Sequence, residues 1–113
     1  DKGSYVLSKH TGVSQQYHWV LRASNNEVIL TSESYVSKSG AENGISSCRT
    51  NSQFDSKFEK RSSVANQPYF VLKAENGQII GTSEMYESTA SRDNGIASVA
   101  KNAPDASVDD QTA

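Results

Sequence analysis

The chain has 113 residues, of which 35% are hydrophobic and 21% charged, with a formal net charge of -2. That length suits one domain or a close pair of small ones, and the 11 Lys and Arg form no stripe of the kind that binds a nucleic-acid backbone. No run of about 18 apolar residues is present to span a membrane, and the single cysteine, Cys48, excludes an internal disulfide and points to a reducing, cytoplasmic setting.

In chain order, Tyr5 to Lys9 reads as a short strand, 11 to 16 as a polar turn and Tyr17 to Ala23 as a second strand. Asn25-Asn26 follows as a tight turn, and Val28 to Glu33 is the return strand. The period then changes: Ser37 stands as an N-cap before a helix over Lys38 to Thr50, whose apolar side carries Ala41, Ile45 and Cys48. Everything then recurs 51 residues later. Residues 17–51 laid on 68–102 match at 15 of 35 positions, including Thr31-Ser32-Glu33-x-Tyr35 on Thr82-Ser83-Glu84-x-Tyr86 and Asn43-Gly44-Ile45 on Asn94-Gly95-Ile96.

The second copy therefore predicts strands over Phe58 to Arg61, Tyr69 to Ala74 and Ile79 to Glu84, a turn at Asn76-Gly77, and a helix capped by Ser88 over Thr89 to Lys101. Its apolar side carries Arg92, Ile96, Val99 and Ala100. Asn-Gly flanked by apolar residues signals a two-residue type I′ hairpin. Alternation places Trp19, Leu21, Phe70 and Leu72 in the core and His18, Val20, Tyr69 and Val71 on a partly exposed face. The fold class is α+β: two tandem strand-strand-strand-helix repeats, an antiparallel sheet with helices on one face, and approximate internal two-fold symmetry. Repeat 1 spans 4–52, repeat 2 spans 54–110, and 111–113 is a tail; residues 107–109 can add a strand beside the Tyr5 strand.

An internal copy reports what the fold needs, whereas catalysis calls for different residues in different roles. Gly44 and Gly95 interrupt both helices at a cost of about 1 kcal/mol each relative to alanine, and close packing is the expected reason. Glu33, Tyr35, Glu84 and Tyr86 are the candidate ligand-binding residues, a carboxylate and a phenol at each strand end, although Ser, Thr and Glu there also satisfy loop backbone groups. Cys48 aligns with Val99 and reads as a buried small hydrophobe. His10, His18 and Cys48 have no metal-ligand or triad spacing, so no catalytic residue, metal or cofactor is expected.

The stretches Tyr69-Phe70-Val71-Leu72-Lys73-Ala74-x-Asn76-Gly77-Gln78-Ile79-Ile80-Gly81-Thr82-Ser83-Glu84-Met85-Tyr86 and Asn94-Gly95-Ile96-Ala97-Ser98-Val99-x-Lys101-Asn102-Ala103-Pro104-Asp105 resemble the YegP-like family of small, mostly bacterial tandem-repeat proteins of unknown function. The resemblance implies the same repeat architecture and transfers no site residue. The first copy departs from the pattern at Asn26, at Cys48 and at Ser52-Gln53-Phe54, which are turn and helix positions. The functional expectation is a small non-enzymatic binding or interaction protein, as a monomer or weak homodimer, with a protein partner or a small polar ligand. A structural or stress-related role and an enzyme acting on a small polar ligand are the alternatives.

Overall fold

The computed structural model describes residues 3–10 and 16–112; the turn expected at 11–16 lies, but for Gln16, outside them. Each repeat contributes three strands and a helix: β1 (Ser4–His10), β2 (Gln16–Arg22), β3 (Val28–Ser32) and α1 (Lys38–Asn51), then β4 (Phe58–Ser62), β5 (Pro68–Lys73), β6 (Ile79–Thr82) and α2 (Thr89–Asn102). A final strand, β7 (Ser107–Asp110), follows. All seven strands form one sheet in the order β4-β5-β6-β3-β2-β1-β7. The sheet is mixed, because β7 runs parallel to β1 with Tyr5 opposite Val108.

The repeats meet along β3 and β6, where Thr31 pairs with Thr82. These are equivalent residues, so the pseudo-two-fold axis passes through that pair. Next to the axis, equivalence places Leu30 against Gly81, and a Cβ on Gly81 would stand 2.8 Å from Leu30 Cγ. Two leucines cannot share this place, so one repeat keeps the side chain and the other gives it up.

Both helices cover one sheet face. Tyr5, Leu7, Trp19, Leu21, Leu30, Phe70 and Leu72 are fully buried beneath them, with Ala41, Ile45, Cys48, Ile96 and Val99 facing down from the helices. Burying one such side chain contributes about 1.5–3 kcal/mol, and the core is shared, since one cluster holds residues of both repeats. Ser37 and Ser88 cap the helices as expected, accepting from Gly40 N at 3.0 Å and Ser91 N at 3.1 Å.

Expectations about two side chains and about the turn type change. Ala100 is exposed, and Asn102 takes the buried place, donating to Ser98 O at 2.8 Å as Asn51 donates to Ser47 O at 2.8 Å. A buried amide at each helix end thus bonds back to the preceding helical turn and leaves its donors satisfied. Val71 is only 1% exposed: on the helix-free face it lies between Glu59 and Thr82, and the Glu59 carboxylate reaches Lys73 at 2.9 Å.

The hairpins are not type I′. Only Asn26 (φ 74) and Gly77 (φ 84) have positive φ in those turns. Asn26 N donates to Ala23 O at 2.8 Å and Ala23 N to Glu27 O at 2.8 Å, with Gly77 to Ala74 and Ala74 to Gln78 repeating this. That is a type I turn closed by a left-handed residue, the three-residue hairpin loop. The β4–β5 turn uses the same device with Asn66 (φ 60).

A candidate ligand cleft at the repeat junction

The repeated Thr-Ser-Glu-x-Tyr segment acts first on the backbone. Ser32 Oγ accepts from Trp19 N at 2.8 Å and donates to Glu33 O at 2.8 Å, so a hydroxyl takes the place of a strand carbonyl and β3 leaves the sheet. Three residues after Ser32 the chain reattaches: Tyr35 N donates to Tyr17 O at 2.7 Å and Tyr17 N to Tyr35 O at 2.8 Å. Ser83 repeats the substitution, accepting from Phe70 N at 3.0 Å and donating to Glu84 O at 2.8 Å. Expelling Glu33 and Glu84 from the ladder leaves both side chains exposed, and it shortens β3 and β6 relative to the strands expected from sequence.

The tyrosines explain the glycines. A Cβ built on Gly44 would stand 2.2 Å from Tyr35 Oη, and one on Gly95 would stand 2.2 Å from Tyr86 Oη. Each helix accepts a glycine because a phenol from its own repeat lies flat against it. Burial pushes the Tyr35 phenol above its ordinary range, and the Glu33 carboxylate pushes it further. Tyr86 is raised in the same way, by burial first and then by Glu84 and Glu27.

A cleft of about 550 Å³ opens beside the first of these sites. Repeat 1 supplies Glu33, Tyr35, Asn43, Gly44 and Ser47, and the β5–β6 hairpin of repeat 2 supplies Asn76, Gln78, Ala74, Ile79 and Ile80. Glu33 and Tyr35 are therefore brought together, while Glu84 and Tyr86 occupy the pseudo-equivalent position on the other side of the axis. Equivalence also puts Glu27 where the first site has Gln78, so the second phenol faces two carboxylates. Sequence reasoning missed Asn43, Ser47, Asn76 and Gln78. Asn43 and Asn76 do lie in the repeated Asn-Gly-Ile and turn motifs, but nothing in the chain says that a helix of one copy meets a hairpin of the other.

Cys48 is buried and its thiol is pushed up to about 12, chiefly by burial, which leaves it without thiolate character near neutrality. Among the described residues no three His, Cys, Asp or Glu side chains are grouped so as to hold a metal ion.

Comparison with known proteins places this architecture. A family model described as a domain of unknown function (DUF1508) matches residues 13–59 and again 63–110. A UPF0339 protein of Shewanella oneidensis is 53% identical over 110 residues, covering 97% of this chain and 98% of its own. The UPF0339 protein YegP of Escherichia coli is 47% identical over 110 residues, with 97% and 98% covered. The solution NMR structure of the Escherichia coli YegP protein superposes with a TM-score of 0.91 at 47% identity, covering 98% of this chain and 94% of that one. The NMR structure of a Shewanella oneidensis UPF0339 protein gives 0.90 at 52%, covering 99% and 93%. With both copies of the domain matched and close relatives aligned nearly end to end, the chain belongs to the UPF0339 family, the YegP-like proteins built from two DUF1508 repeats.

Proposed function

We propose that the protein is a non-enzymatic binding module whose junction cleft takes a small polar molecule carrying a positive charge, such as a primary amine or a guanidine. The observation that carries this reading is the cleft's lining: one carboxylate (Glu33), one phenol (Tyr35) and the side-chain amides of Asn43, Asn76 and Gln78 converge over an apolar floor of Ala74, Ile79 and Ile80, with no Lys or Arg among them. A mostly apolar cleft of roughly 300–1,000 Å³ with a few convergent polar groups is the usual form of a small-molecule site. A lone carboxylate among neutral side chains selects a cation, and the phenol face beside it adds attraction.

The same lining argues for binding over catalysis. Acid–base chemistry uses two titrating groups whose surroundings separate their pKa values, and here a single exposed carboxylate stands beside a phenol held protonated by burial. Thermal unfolding in matched panels of small amines and small carboxylates tests the reading. Amines raise the midpoint of the wild type and lose that effect in Glu33→Gln. Equal stabilisation by carboxylates, or an amine effect that survives Glu33→Gln, rejects it.

A further inference from the structure

The two outer edges of the sheet are equivalent by the internal two-fold but are finished differently. At the repeat 1 edge the groove between β1 and α1 is full. Tyr5 is 0% exposed, its hydroxyl donates to Ala103 O at 2.7 Å, and the Arg49 guanidinium lies 4.9 Å from the Tyr5 ring centroid while donating to Pro104 O at 3.1 Å. The C-terminal segment so held lays β7 on β1, with Ser107 N donating to Gly3 O at 3.2 Å and Gln111 N to Leu7 O at 2.8 Å.

At the repeat 2 edge the positions of Tyr5 and Arg49 are taken by Ser56 and Ala100. A groove of about 440 Å³ remains between β4 and α2, floored by Phe58, Ile96, Ala97 and Ala100 and rimmed by Lys60 and Asp93. β4 is the terminal strand of the sheet. In its pairing with β5, Ser62 opposes Pro68, which has no N–H, and Lys60 opposes Phe70, whose N and O bond Ser83 on the far side. Alternation therefore turns the backbone groups of Lys60 and Ser62 outward together with the Phe58 carbonyl, the Phe58 N–H being taken by Asp55 O. Phe58 is the equivalent of Leu7, whose carbonyl takes the Gln111 N–H at the covered edge. A 3₁₀ turn at Asp55–Lys57 shortens β4, so the open stretch starts at the last residue that β7 pairs in repeat 1.

We propose that the outer edge of β4 and the groove between β4 and α2 bind an extended segment of another polypeptide, added as a further strand with an apolar side chain seated on Phe58, Ile96, Ala97 and Ala100. Strand addition takes its affinity from main-chain hydrogen bonds and its selectivity from pockets for alternate side chains, and both are present side by side. A second copy does not fit. Two β4 edges paired about Lys60 would oppose two lysines, and each copy's own C-terminal strand is already tied down by Lys38–Asp110 at 2.7 Å as well as by Tyr5 and Arg49. Lys60 does guard the edge, but its ammonium is turned toward Asp93 at 3.4 Å on the helix side, where it caps one end of the groove.

The probe is a synthetic peptide with the sequence of residues 103–111, which covers the equivalent edge within the molecule, titrated into the isotope-labelled full chain by NMR. The expected result is a saturable set of shifts at Lys60, Ser62, Ile96 and Ala97. Lys60→Pro removes an outward N–H and leaves the β5 pairing intact, so it keeps the dispersed spectrum and weakens binding by about tenfold or more. Ala97→Asp, which sets a carboxylate on the apolar floor of the groove, weakens binding likewise. No binding up to about 1 mM, shifts confined to 4–7 where the peptide would trade places with β7, or undiminished binding by both variants each overturn the proposal.

Discussion

Replacing Gly95 by alanine separates intrinsic helix propensity from the space that Tyr86 needs. In an exposed helix interior this change stabilises by about 1 kcal/mol. Here the new methyl would lie 2.2 Å from Tyr86 Oη, 2.7 Å from Cζ and 3.2 Å from Phe70 Cε1. Either the helix lifts from the sheet, at an overpacking cost of about 1–3 kcal/mol, or the phenol swings out and gives up its stacked contact with Phe70, whose ring centroid is 6.3 Å away. Set against the gain in propensity, the expected net loss is about 1 kcal/mol. In a Tyr86→Ala background the obstruction is gone and the same substitution should stabilise by up to about 1 kcal/mol. The readout is a double-mutant cycle by urea unfolding, followed by fluorescence of the single Trp19. A change of sign between backgrounds is the predicted result. An equal effect in both would refute the claim that the glycine exists for the tyrosine.

Gly81→Leu should destabilise by more than about 2 kcal/mol through its clash with Leu30, and adding Leu30→Gly should recover part of that loss in a denaturant titration, since the pair then has the same volume in mirror order. Gly77→Val should cost about 1–2 kcal/mol because its φ of +84 is left-handed although nothing lies within 4 Å, whereas Asn26→Gly should be neutral or slightly stabilising. Hydrogen bonding from Lys38 first, and then from Thr112, holds the Asp110 carboxyl below its ordinary range. A depressed carboxylate contributes its stabilisation above the unfolded value of about 3.9 and loses it as pH falls below that. Amide-exchange protection of Ser107 and Gln111 should therefore decline selectively between about pH 4 and pH 2, and Lys38→Ala should weaken it already at neutral pH; uniform protection across that range would contradict this.

Much of the fold was legible because the chain is written twice. The offset of 51 aligned strands, caps and turns and implied an internal two-fold; the pairing of β3 with β6 locates that axis at two equivalent threonines. Turn type was not legible, because Asn-Gly signals a left-handed residue without saying whether one or two residues adopt it; the hydrogen bonds to Ala23 and Ala74 show one. Nor did spacing reveal that Asn51 and Asn102 turn inward, since periodicity counts apolar residues and overlooks an amide that bonds back to the preceding helical turn. At the site, Glu33 and Tyr35 could be found by their repetition. The opposing wall of Asn76, Gln78 and Ile79 could not, because it belongs to the other repeat and arrives through the β3–β6 pairing. The Gly44–Tyr35 and Gly95–Tyr86 contacts were half legible: both members stood out as repeated residues, and only tertiary distance joins them.

Amide and side-chain shift mapping of the full-length protein, titrated with a panel of small amines and guanidines alongside small carboxylates, tests the ligand-cleft reading most directly. Saturable shifts with the cationic compounds at Asn43, Gly44, Asn76 and Gln78, abolished by Glu33→Gln and retained in Glu84→Gln, are the predicted result. Shifts that fall outside the junction cleft, that follow the carboxylates, or that persist in Glu33→Gln would contradict it.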